Sequence, residues 1–384
     1  MIIRSILDTD YYKLSQQYAI LTQYHDAKAD YAFILRKPVE FQKDFLGRLT
    51  DEIQAMSHLQ ITADELKFLS QAAPYLPPQY LAYLKDYRYD PREVKIELQN
   101  GFLDLNISGL WHRTVLWEVP LMALISELYF QESTPDLKSQ AERAKSKADF
   151  LDSAKAYFME FGTRRRRSFE VQNIVFSELC KKKTCWGTSN PYLAKLFGTQ
   201  MLGTVAHEWT MGISVLEGLR HANRFAMDKW REVYGGNLSI ALTDTYGSDA
   251  FFADFDLDRA LSWRGLRQDS GSPYDFYDKT IAHYQKLGID PSTKTIVYSD
   301  SLDVNRAVEI KKHCPKTKSV FGIGTHFSND SPTGPAALNM VIKLTQMNGV
   351  PVVKLSDDPG KAIGDQDAVR VVNWMMLGKP LGNY

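Results

Sequence analysis

Short apolar runs alternate with helical segments along most of residues 115–345 of this 384-residue chain. Each run ends in small, polar or charged residues. Strand-then-helix units of this kind build a parallel sheet, so the pattern predicts an α/β fold, either closed as a barrel or open and doubly wound. The seven runs are residues 159–165, 185–190, 203–208, 239–244, 264–271, 294–301 and 319–326.

Apolar residues spaced three and four positions apart predict helices between these runs. Each such stripe places one apolar face against a core. The three clearest stripes are Val215, Leu219, Ala222 and Ala226; Tyr277, Ile281, Tyr284 and Leu287; and Ala337, Met340, Leu344 and Met347.

The first 115 residues have a mixed pattern that predicts a separate α+β domain. A helix is expected to begin near Thr9 or Asp10, and residues 31–36 read as a strand. Residues 51–92 read as helices broken by prolines, and residues 94–109 read as a hairpin with Asn-Gly at its turn.

The domain boundaries follow from this change of pattern. Residues 1–115 are predicted to form the smaller domain and residues 116–344 the barrel-like one. Residues 350–365 predict a strand and a turn, and we expect the segment 345–384 to return to the N-terminal domain.

Composition and charge narrow the class of protein. Lys plus Arg and Asp plus Glu both number 46, which does not favour nucleic acid or an anionic membrane as a partner. The chain has no apolar stretch of membrane-spanning length and no signal-peptide pattern at its start. Three cysteines cannot build a disulfide framework, so we expect a reducing, cytoplasmic location.

Polar residues stand where the predicted strands end. The carboxyl ends of parallel strands meet at one edge, which is where chemistry gathers in such folds. We therefore expect one site that collects Arg164, Ser189, His207, Asp244, Arg267, Asp269, Asp300 and Thr325.

The residue types at these ends suit a charged sugar phosphate. Arg267 and Asp269 share a face if their segment is extended, His207 offers an imidazole nucleophile, and neighbouring carboxylates require a cation or ribose hydroxyls. Each also has a structural alternative: a plain ion pair, a core histidine, or, for the arginines 164–167, a solvated basic loop or helix start. We favour that last interpretation by default, but the position of these arginines at a strand end predicts that one or two of the four face the site. A Walker A motif and a complete GxGxxG are both missing from the sequence.

Eight motifs together resemble the nicotinate phosphoribosyltransferase family and, less closely, its nicotinamide-using cousin. They follow the expected order over nearly the whole chain. The motifs are SILDTDYYKLSQQ (5–17), FGTRRRRSFEVQ (161–172), GTSN (187–190), GTVAHEW (203–209), ALTDTY (241–246), GLRQDSG (265–271), VYSDSLD (297–303) and FGIGTHFSND (321–330).

The resemblance implies an irregular, incomplete parallel α/β barrel with a smaller α+β domain built from both ends of the chain. It implies a homodimer with shared active sites. It also implies that nicotinate and phosphoribosyl pyrophosphate give nicotinate mononucleotide and pyrophosphate, driven by ATP hydrolysis with Mg²⁺ held mainly through substrate phosphates.

Residue roles follow from the matching motifs. The resemblance implies that ATP phosphorylates His207, with Asp244, Arg267 and Asp269 completing the catalytic group. It implies that Phe161 stacks on the pyridine ring and that Tyr12 reaches the ring from the other subunit. The remaining residues implied to bind substrate are Arg164, Thr188, Ser189, Asp300, Gly322, Gly324 and Thr325.

Ser189 bears on the choice of substrate. The nicotinamide-using cousin carries an aspartate at this position, which would repel the carboxylate of nicotinate, whereas a serine can donate a hydrogen bond to it. We therefore expect nicotinate, with nicotinamide as the alternative. The length of the chain argues against quinolinate as the substrate. No role can be assigned to Arg167. Two alternative functions stay open: a barrel retained as a binding or regulatory protein, and a generic sugar-phosphate enzyme.

Overall fold

A computed structural model describes residues 1–131, 133, 136–203, 205–331 and 335–378. The chain divides into two compact units. The first unit comprises Met1–Gly203 and Ile323–Lys343, and the second comprises Thr204–Gly322 and Leu344–Tyr384. Within the described residues, no helix combines the length and the apolar character that crossing a membrane requires.

The helices are numbered in chain order. They are α1 Tyr11–Gln23, α2 Phe45–Met56, α3 Ala63–Ala72, α4 Pro78–Asp86, α5 Trp111–Thr114, α6 Glu118–Phe130, α7 Leu137–Ser153, α8 Phe169–Leu179, α9 Pro191–Phe197, α10 His207–Leu216, α11 Ala222–Tyr234, α12 Ser248–Asp254, α13 Leu257–Ser262, α14 Pro273–Lys286, α15 Val304–His313, α16 Thr325–Ser328 and α17 Gln366–Leu377. Short 3₁₀ helices cover Pro91–Glu93, Thr163–Arg165, Pro291–Thr293 and Pro359–Lys361.

The strands are numbered in the same way. They are β1 Lys28–Leu35, β2 Val94–Gln99, β3 Phe102–Leu110, β4 Tyr157–Glu160, β5 Cys185–Thr188, β6 Gln200–Met201, β7 Ile240–Leu242, β8 Gly265–Gln268, β9 Thr295–Tyr298, β10 Lys318–Ile323, β11 Met340–Met347 and β12 Val350–Pro351.

The antiparallel sheet has the strand order β12-β11-β1-β3-β2. Its β2–β3 hairpin turns at Asn100 and Gly101, whose φ angles of 52° and 84° fit a primed turn. The predicted hairpin and the strand predicted over residues 31–36 are therefore confirmed. Strands β11 and β12 belong to the same sheet as β1, β2 and β3, while Leu344–Tyr384 are assigned to the second unit.

The parallel sheet has the order β6-β5-β4-β10-β9-β8-β7. Ladders in the first unit join β4 to β5 and β5 to β6, and ladders in the second join β7, β8, β9 and β10. The chain re-enters the first unit at the last residue of β10, Ile323, whose carbonyl accepts a hydrogen bond from Phe161 N at 2.8 Å. This arrangement confirms the predicted incomplete α/β barrel with an α+β domain.

Helix α6 lies in the core of the first unit. Among its described residues all but Tyr129 are buried, so it is apolar nearly all round rather than amphipathic. Two glutamates, Glu118 and Glu127, are buried with it and are paired with cations. Glu118 pairs with Lys13, and Glu127 pairs with Arg166.

The strand predicted over residues 203–208 is wrong. The short strand β6 ends at Met201, and His207 is the first residue of α10. The buried Trp209 and Ile213 lie four residues apart, a helical spacing that outweighs the brief apolar run before them. Thr204 of the GTVAHEW motif lies outside the described residues.

Two of the three helical stripes need correction, while the stripe from Tyr277 is confirmed in α14. The stripe from Val215 to Ala226 is divided between α10 and α11, with Gly218 at φ 114° in the break. In the stripe from Ala337, the residues Met340, Leu344 and Met347 lie in a strand, β11, and not in a helix. Asn348 and Gly349 form a left-handed turn that pairs this strand with β12.

Gly265 permits the close approach of β8 and β9. A Cβ atom at this position would lie 2.1 Å from the carbonyl oxygen of Thr295, its partner in the ladder. We predict that Gly265→Ala lowers the free energy of unfolding by about 1–3 kcal/mol, the usual cost of overpacking. Urea unfolding measures it, and Gly236→Ala is the control because that Cβ would meet nothing within 4 Å. Equal stability of the two variants would contradict the prediction.

Candidate functional site

The second unit brings together the four residues predicted to be catalytic. His207 begins α10, Asp244 follows β7, and Arg267 and Asp269 lie in and just after β8. His207 Nε2 is 3.1 Å from Asp269 Oδ2 and 3.6 Å from Asp244 Oδ1. Arg267 Nη2 donates to Asp269 Oδ1 at 2.9 Å. The carboxyl ends of β7 and β8 thus supply a compact group, which we call the histidine cluster.

The hydrogen bonds around His207 favour one tautomer. Nε2 faces the carboxylate of Asp269, which only accepts, so Nε2 carries the proton and donates it there. Nδ1 lies 3.0 Å from Thr245 Oγ1 and accepts from that hydroxyl. The lone pair of the neutral imidazole is therefore on Nδ1.

Burial and charge set the protonation states of this cluster. Burial, with the nearby charge of Lys354, lowers the pKa of His207 to about 4, so the ring is neutral at pH 7. Burial works against ionisation of Asp269, yet Arg267, His207 and Ser299 hold the pKa of this carboxyl well below its ordinary value. A neutral nucleophile beside a fixed carboxylate is an arrangement suited to nucleophilic catalysis.

Three further residues complete the cluster. Ser299 Oγ donates to Asp269 Oδ1 at 2.7 Å and accepts from Arg267 Nε at 2.8 Å. Ser270 Oγ donates to Asp244 Oδ2 at 2.5 Å, and Lys354 Nζ lies 3.6 Å from the same oxygen. Ser299 and Ser270 lie within the motifs VYSDSLD and GLRQDSG, whereas no motif around Lys354 predicts that it belongs to a site.

The other predicted ligands near the strand ends are placed as follows. Asp300, after β9, pairs through Oδ1 with Lys361 Nζ at 2.7 Å. Gly322 lies in β10 of the second unit. Gly324 precedes α16 and Thr325 begins it, both in the first unit, and a Cβ at Gly324 would lie 3.0 Å from Phe161 O.

The histidine cluster has the donors for a divalent cation. One ligand atom each of His207, Asp244 and Asp269 lies within 4.8 Å of the others. Asp244 Oδ1 is a buried oxygen for which the described residues provide no hydrogen-bond partner. Carboxylate oxygens are the ligands that Mg²⁺ prefers, so the residues fit this ion.

The first unit holds a second group of predicted ligands. Tyr12 is buried in the first turn of α1, and Phe161 is half-buried after β4. The side chain of Arg164 is one-third exposed, and its Nε lies 3.4 Å from Asp10 Oδ2. Ser189 Oγ donates to Asp10 Oδ1 at 2.6 Å. Asp10, which the sequence marked only as a helix cap, thus connects two predicted ligands.

A buried carboxyl also joins the two loops that carry Phe161 and Ser189. Glu160 accepts from Gly162 N at 2.6 Å, from Gln172 Nε2 at 3.0 Å and from Thr188 Oγ1 at 2.6 Å. Burial raises the pKa of Glu160, which these three donors oppose. The hydroxyl of Thr188 also accepts from Asn190 N at 3.0 Å, so this predicted ligand is engaged within the protein.

The arginines 164–167 are not a solvated loop, so that part of the default interpretation is wrong. Thr163–Arg165 form a short 3₁₀ helix, and Arg166 and Arg167 are buried. Arg166 is fully buried and donates to both oxygens of Asp8, at 2.6 and 2.9 Å, and to Glu127 at 2.7 Å. Arg167 donates to Ser133 and to the carbonyl of Pro335 and stacks on the ring of Phe130. These two are structural, and Arg167 gains the role that the sequence could not assign.

Comparisons with known proteins agree with this arrangement. The profile of the nicotinate phosphoribosyltransferase (NAPRTase) family matches residues 156–375, and that of its N-terminal domain matches residues 7–126. A nicotinate phosphoribosyltransferase of Methanosarcina mazei is 46% identical, with 99% of each chain covered.

Solved structures are similar to the whole chain. The nicotinate phosphoribosyltransferase of Porphyromonas gingivalis gives a TM-score of 0.95 at 39% identity, over 98% of this chain and 100% of that one. The Vibrio cholerae enzyme of the same name gives a TM-score of 0.90 at 34% identity, over 97% and 93%.

Lys354 is one cause of the low basicity of His207. We predict that Lys354→Met raises the pKa of His207, because the cation no longer opposes the imidazolium. NMR titration of ¹³C-labelled histidine, assigned with His207→Asn, measures the pKa. The control Lys361→Met removes a lysine paired with Asp300 and should leave this pKa in place. An equal effect of both variants would refute a specific role for Lys354.

Proposed function

Since the chain belongs to the nicotinate phosphoribosyltransferase family, we propose that it joins nicotinate to phosphoribosyl pyrophosphate and forms nicotinate mononucleotide and pyrophosphate. The observation that supports this proposal most is the histidine cluster, in which His207, Asp269 and Arg267 are connected by hydrogen bonds at 3.1 and 2.9 Å. The product places the protein at the first step of NAD biosynthesis from nicotinate.

The charges of the cluster suit the charge separation of this reaction. As the bond from C1 of the ribose to pyrophosphate breaks, the sugar becomes oxocarbenium-like and the leaving group gains negative charge. The carboxylates of Asp244 and Asp269 stabilise the cationic sugar, and Arg267 stabilises the leaving pyrophosphate. Groups fixed before the reaction lower its barrier because they need no reorganisation.

ATP enters the proposal through His207. Nδ1 attacks the γ-phosphorus of ATP, a nitrogen–phosphorus bond forms, and the bond to the ADP oxygen breaks. Asp269 accepts from Nε2 and stabilises the positive charge that the ring gains. Hydrolysis of the phosphohistidine later returns phosphate and the neutral ring, so ATP drives turnover without reacting with nicotinate.

Asp244 and Asp269 would help to hold Mg²⁺, which we propose is bound mainly through the substrate phosphates, and the ion would neutralise negative charge on pyrophosphate. Asp300, Gly322, Gly324 and Thr325 are proposed to bind the sugar phosphate.

The pyridine ring is proposed to bind in the first unit. Phe161 stacks on the ring, and Arg164 supplies a cation for the substrate carboxylate. A homodimer in which Tyr12 of one copy reaches the ring held by the other, and a cytoplasmic location, complete the proposal. Ser189 is neutral, so it does not repel the carboxylate of nicotinate as an aspartate would, and its own hydroxyl donates to Asp10. This difference in charge favours nicotinate over the alternative substrate nicotinamide.

One assay tests the proposed function. Purified protein is given phosphoribosyl pyrophosphate, ATP and Mg²⁺ with nicotinate, nicotinamide or quinolinate, and mononucleotide and phosphate are measured. We expect turnover with nicotinate. Turnover with nicotinamide alone would establish the alternative, and no turnover with any of the three would refute the proposal.

Replacement of His207 separates ATP coupling from transfer. We predict that His207→Ala abolishes the phosphoenzyme and ATP hydrolysis but leaves slow, ATP-independent transfer, because Asp244, Arg267 and Asp269 are retained. Labelling with γ-³²P-ATP and product assays measure both. His25→Ala, which changes an exposed histidine, is the control. Full ATP coupling in His207→Ala would rule out the phosphohistidine.

Replacement of Arg267 tests the role of a preorganised donor. Lysine keeps the charge but replaces the planar guanidinium, which donates through Nε to Ser299 and through Nη2 to Asp269, with one flexible ammonium. Arg267→Lys should therefore lower kcat by about 10²-fold. Steady-state kinetics with Arg231→Lys, an arginine paired with Asp258 away from the cluster, provide the comparison. An unchanged kcat would reduce Arg267 to a structural ion pair.

A further inference from the structure

Residues 162–167 of the first unit form a short turn, which we call the arginine turn. It follows Phe161 directly and carries Arg164, the two residues proposed to hold the pyridine ring. Within the turn, the amides of Arg165 and Arg166 donate to the carbonyls three residues earlier, at 3.4 Å each. These bonds are longer than the usual range of about 2.7–3.2 Å, so contacts from elsewhere in the chain have to hold the turn in place.

Two neighbouring residues supply shorter bonds to the arginine turn: Ser328, the last residue of α16, and Asn329 after it. Ser328 Oγ donates to Gly162 O at 2.8 Å, and Asn329 Nδ2 donates to Arg165 O at 2.8 Å. The carbonyl of Ser328 accepts from Arg167 N at 3.0 Å. The three bonds reach the beginning, the middle and the end of the turn, so two residues hold its whole length.

Gly162 is held on both sides. Its N–H donates to Glu160 Oε1 at 2.6 Å, and its carbonyl accepts from Ser328. A Cβ atom at this position would overlap Ser328 and lie 2.6 Å from Glu160 Oε1, so only glycine fits. Ser328 is fully buried and Asn329 is nearly so, which keeps water from competing for the carbonyls that they bind.

Other contacts anchor different parts of the arginine turn. They are the hydrogen bonds from Gln172 to the Thr163 hydroxyl at 3.0 Å, from Ser126 to the Arg166 carbonyl at 2.7 Å and from the Arg165 side chain to the Met340 carbonyl at 3.1 Å. The carbonyls of Gly162 and Arg165, which adjoin Phe161 and Arg164, are instead bound by Ser328 and Asn329. Loss of one of these two donors should therefore displace the turn without unfolding it.

The same short segment carries residues proposed to bind the sugar phosphate. Gly324 precedes α16 and Thr325 begins it. Phe327 N donates to Gly324 O, and Asn329 N donates to Thr325 O, each at 2.9 Å. Ser328 and Asn329 are thus fixed relative to Gly324 and Thr325. We call residues 324–330 the sugar-phosphate segment.

The sugar-phosphate segment has a second support from α7. Lys147 Nζ donates to His326 O at 2.5 Å and pairs with Asp330 Oδ2 at 2.5 Å. Arg143 Nη2 donates to the carbonyl of Asp330 at 3.1 Å. Because these bonds do not involve Ser328 Oγ, removal of that hydroxyl should leave the segment in place and release only the arginine turn.

We propose that Ser328 and Asn329 are positioning residues, which set where Phe161 and Arg164 hold the pyridine ring relative to the sugar phosphate. This inference deepens the proposed function and rests on it. Transfer requires the ring nitrogen close to C1 of the ribose, and a misplacement of about 1 Å can cost about 10²-fold in rate. One segment that holds the sugar phosphate and also ties down the arginine turn fixes the distance between the two substrates.

Ser328→Ala is the principal test, because it removes one hydroxyl and keeps the backbone bond to Arg167. Steady-state kinetics of the full chain are measured with nicotinate and phosphoribosyl pyrophosphate varied in turn. We expect kcat/KM for nicotinate to fall about tenfold or more, while KM for phosphoribosyl pyrophosphate stays within about twofold. Ser177→Ala is the matched control, since that hydroxyl donates to Ile174 O within α8 at 2.7 Å, and both values should be retained.

Asn329→Ala is a second variant, which removes the bond to Arg165 O and should change the kinetics in the same direction. Hydrogen–deuterium exchange gives a readout that needs no turnover. The peptide covering residues 161–169 should exchange faster in Ser328→Ala and Asn329→Ala than in the wild type or Ser177→Ala, because the turn loses a short external bond.

The outcomes separate this inference from the proposed function. Wild-type kinetics in both variants, with or without a lower stability in urea, would show a structural role only and overturn the inference while the transferase stands. Slower turnover without faster exchange of the arginine turn, or an equal rise in KM for both substrates, would also overturn it. A wild-type protein that does not turn over nicotinate refutes the proposed function, and the positioning role falls with it.

Discussion

Asp269 faces three hydrogen-bond donors at once, from Arg267, Ser299 and His207, and the histidine cluster depends on this arrangement. A carboxylate held in this way stays ionised despite its burial, and it fixes the proton of His207 on Nε2. The lone pair of the imidazole is then on Nδ1. Without Asp269 the ring would lack the acceptor that sets its tautomer.

The same constraint, that a buried charge needs a partner, shapes the first unit. Arg166 is matched by Asp8 and Glu127, and Lys13 by Glu118, so these groups are fixed. Asp10 lies in the same unit, where the side chains of Arg164 and Ser189 contact its carboxylate.

Much of the site could be inferred from residue types at strand ends. Parallel strands end at a common edge, so Asp244, Arg267 and Asp269 were expected together, and the structure places them so. His207 was also expected in the site, but it was predicted to lie at the end of a strand, which is wrong. It reaches the cluster from the first turn of α10. Apolar spacing cannot separate a strand from a helix in so short a run.

The sequence by itself determined the α/β class, the hairpin at Asn100 and Gly101, and the set of charged residues at the strand ends, because periodicity and turn chemistry act over a few neighbouring residues. Only the tertiary structure decided which arginines are buried, that β11 is a strand, that Lys354 belongs to the histidine cluster, and that Asp10 contacts Arg164 and Ser189. Those outcomes depend on pairing a charge or a backbone edge with a residue far away in the chain, and no local pattern records which distant partner is available.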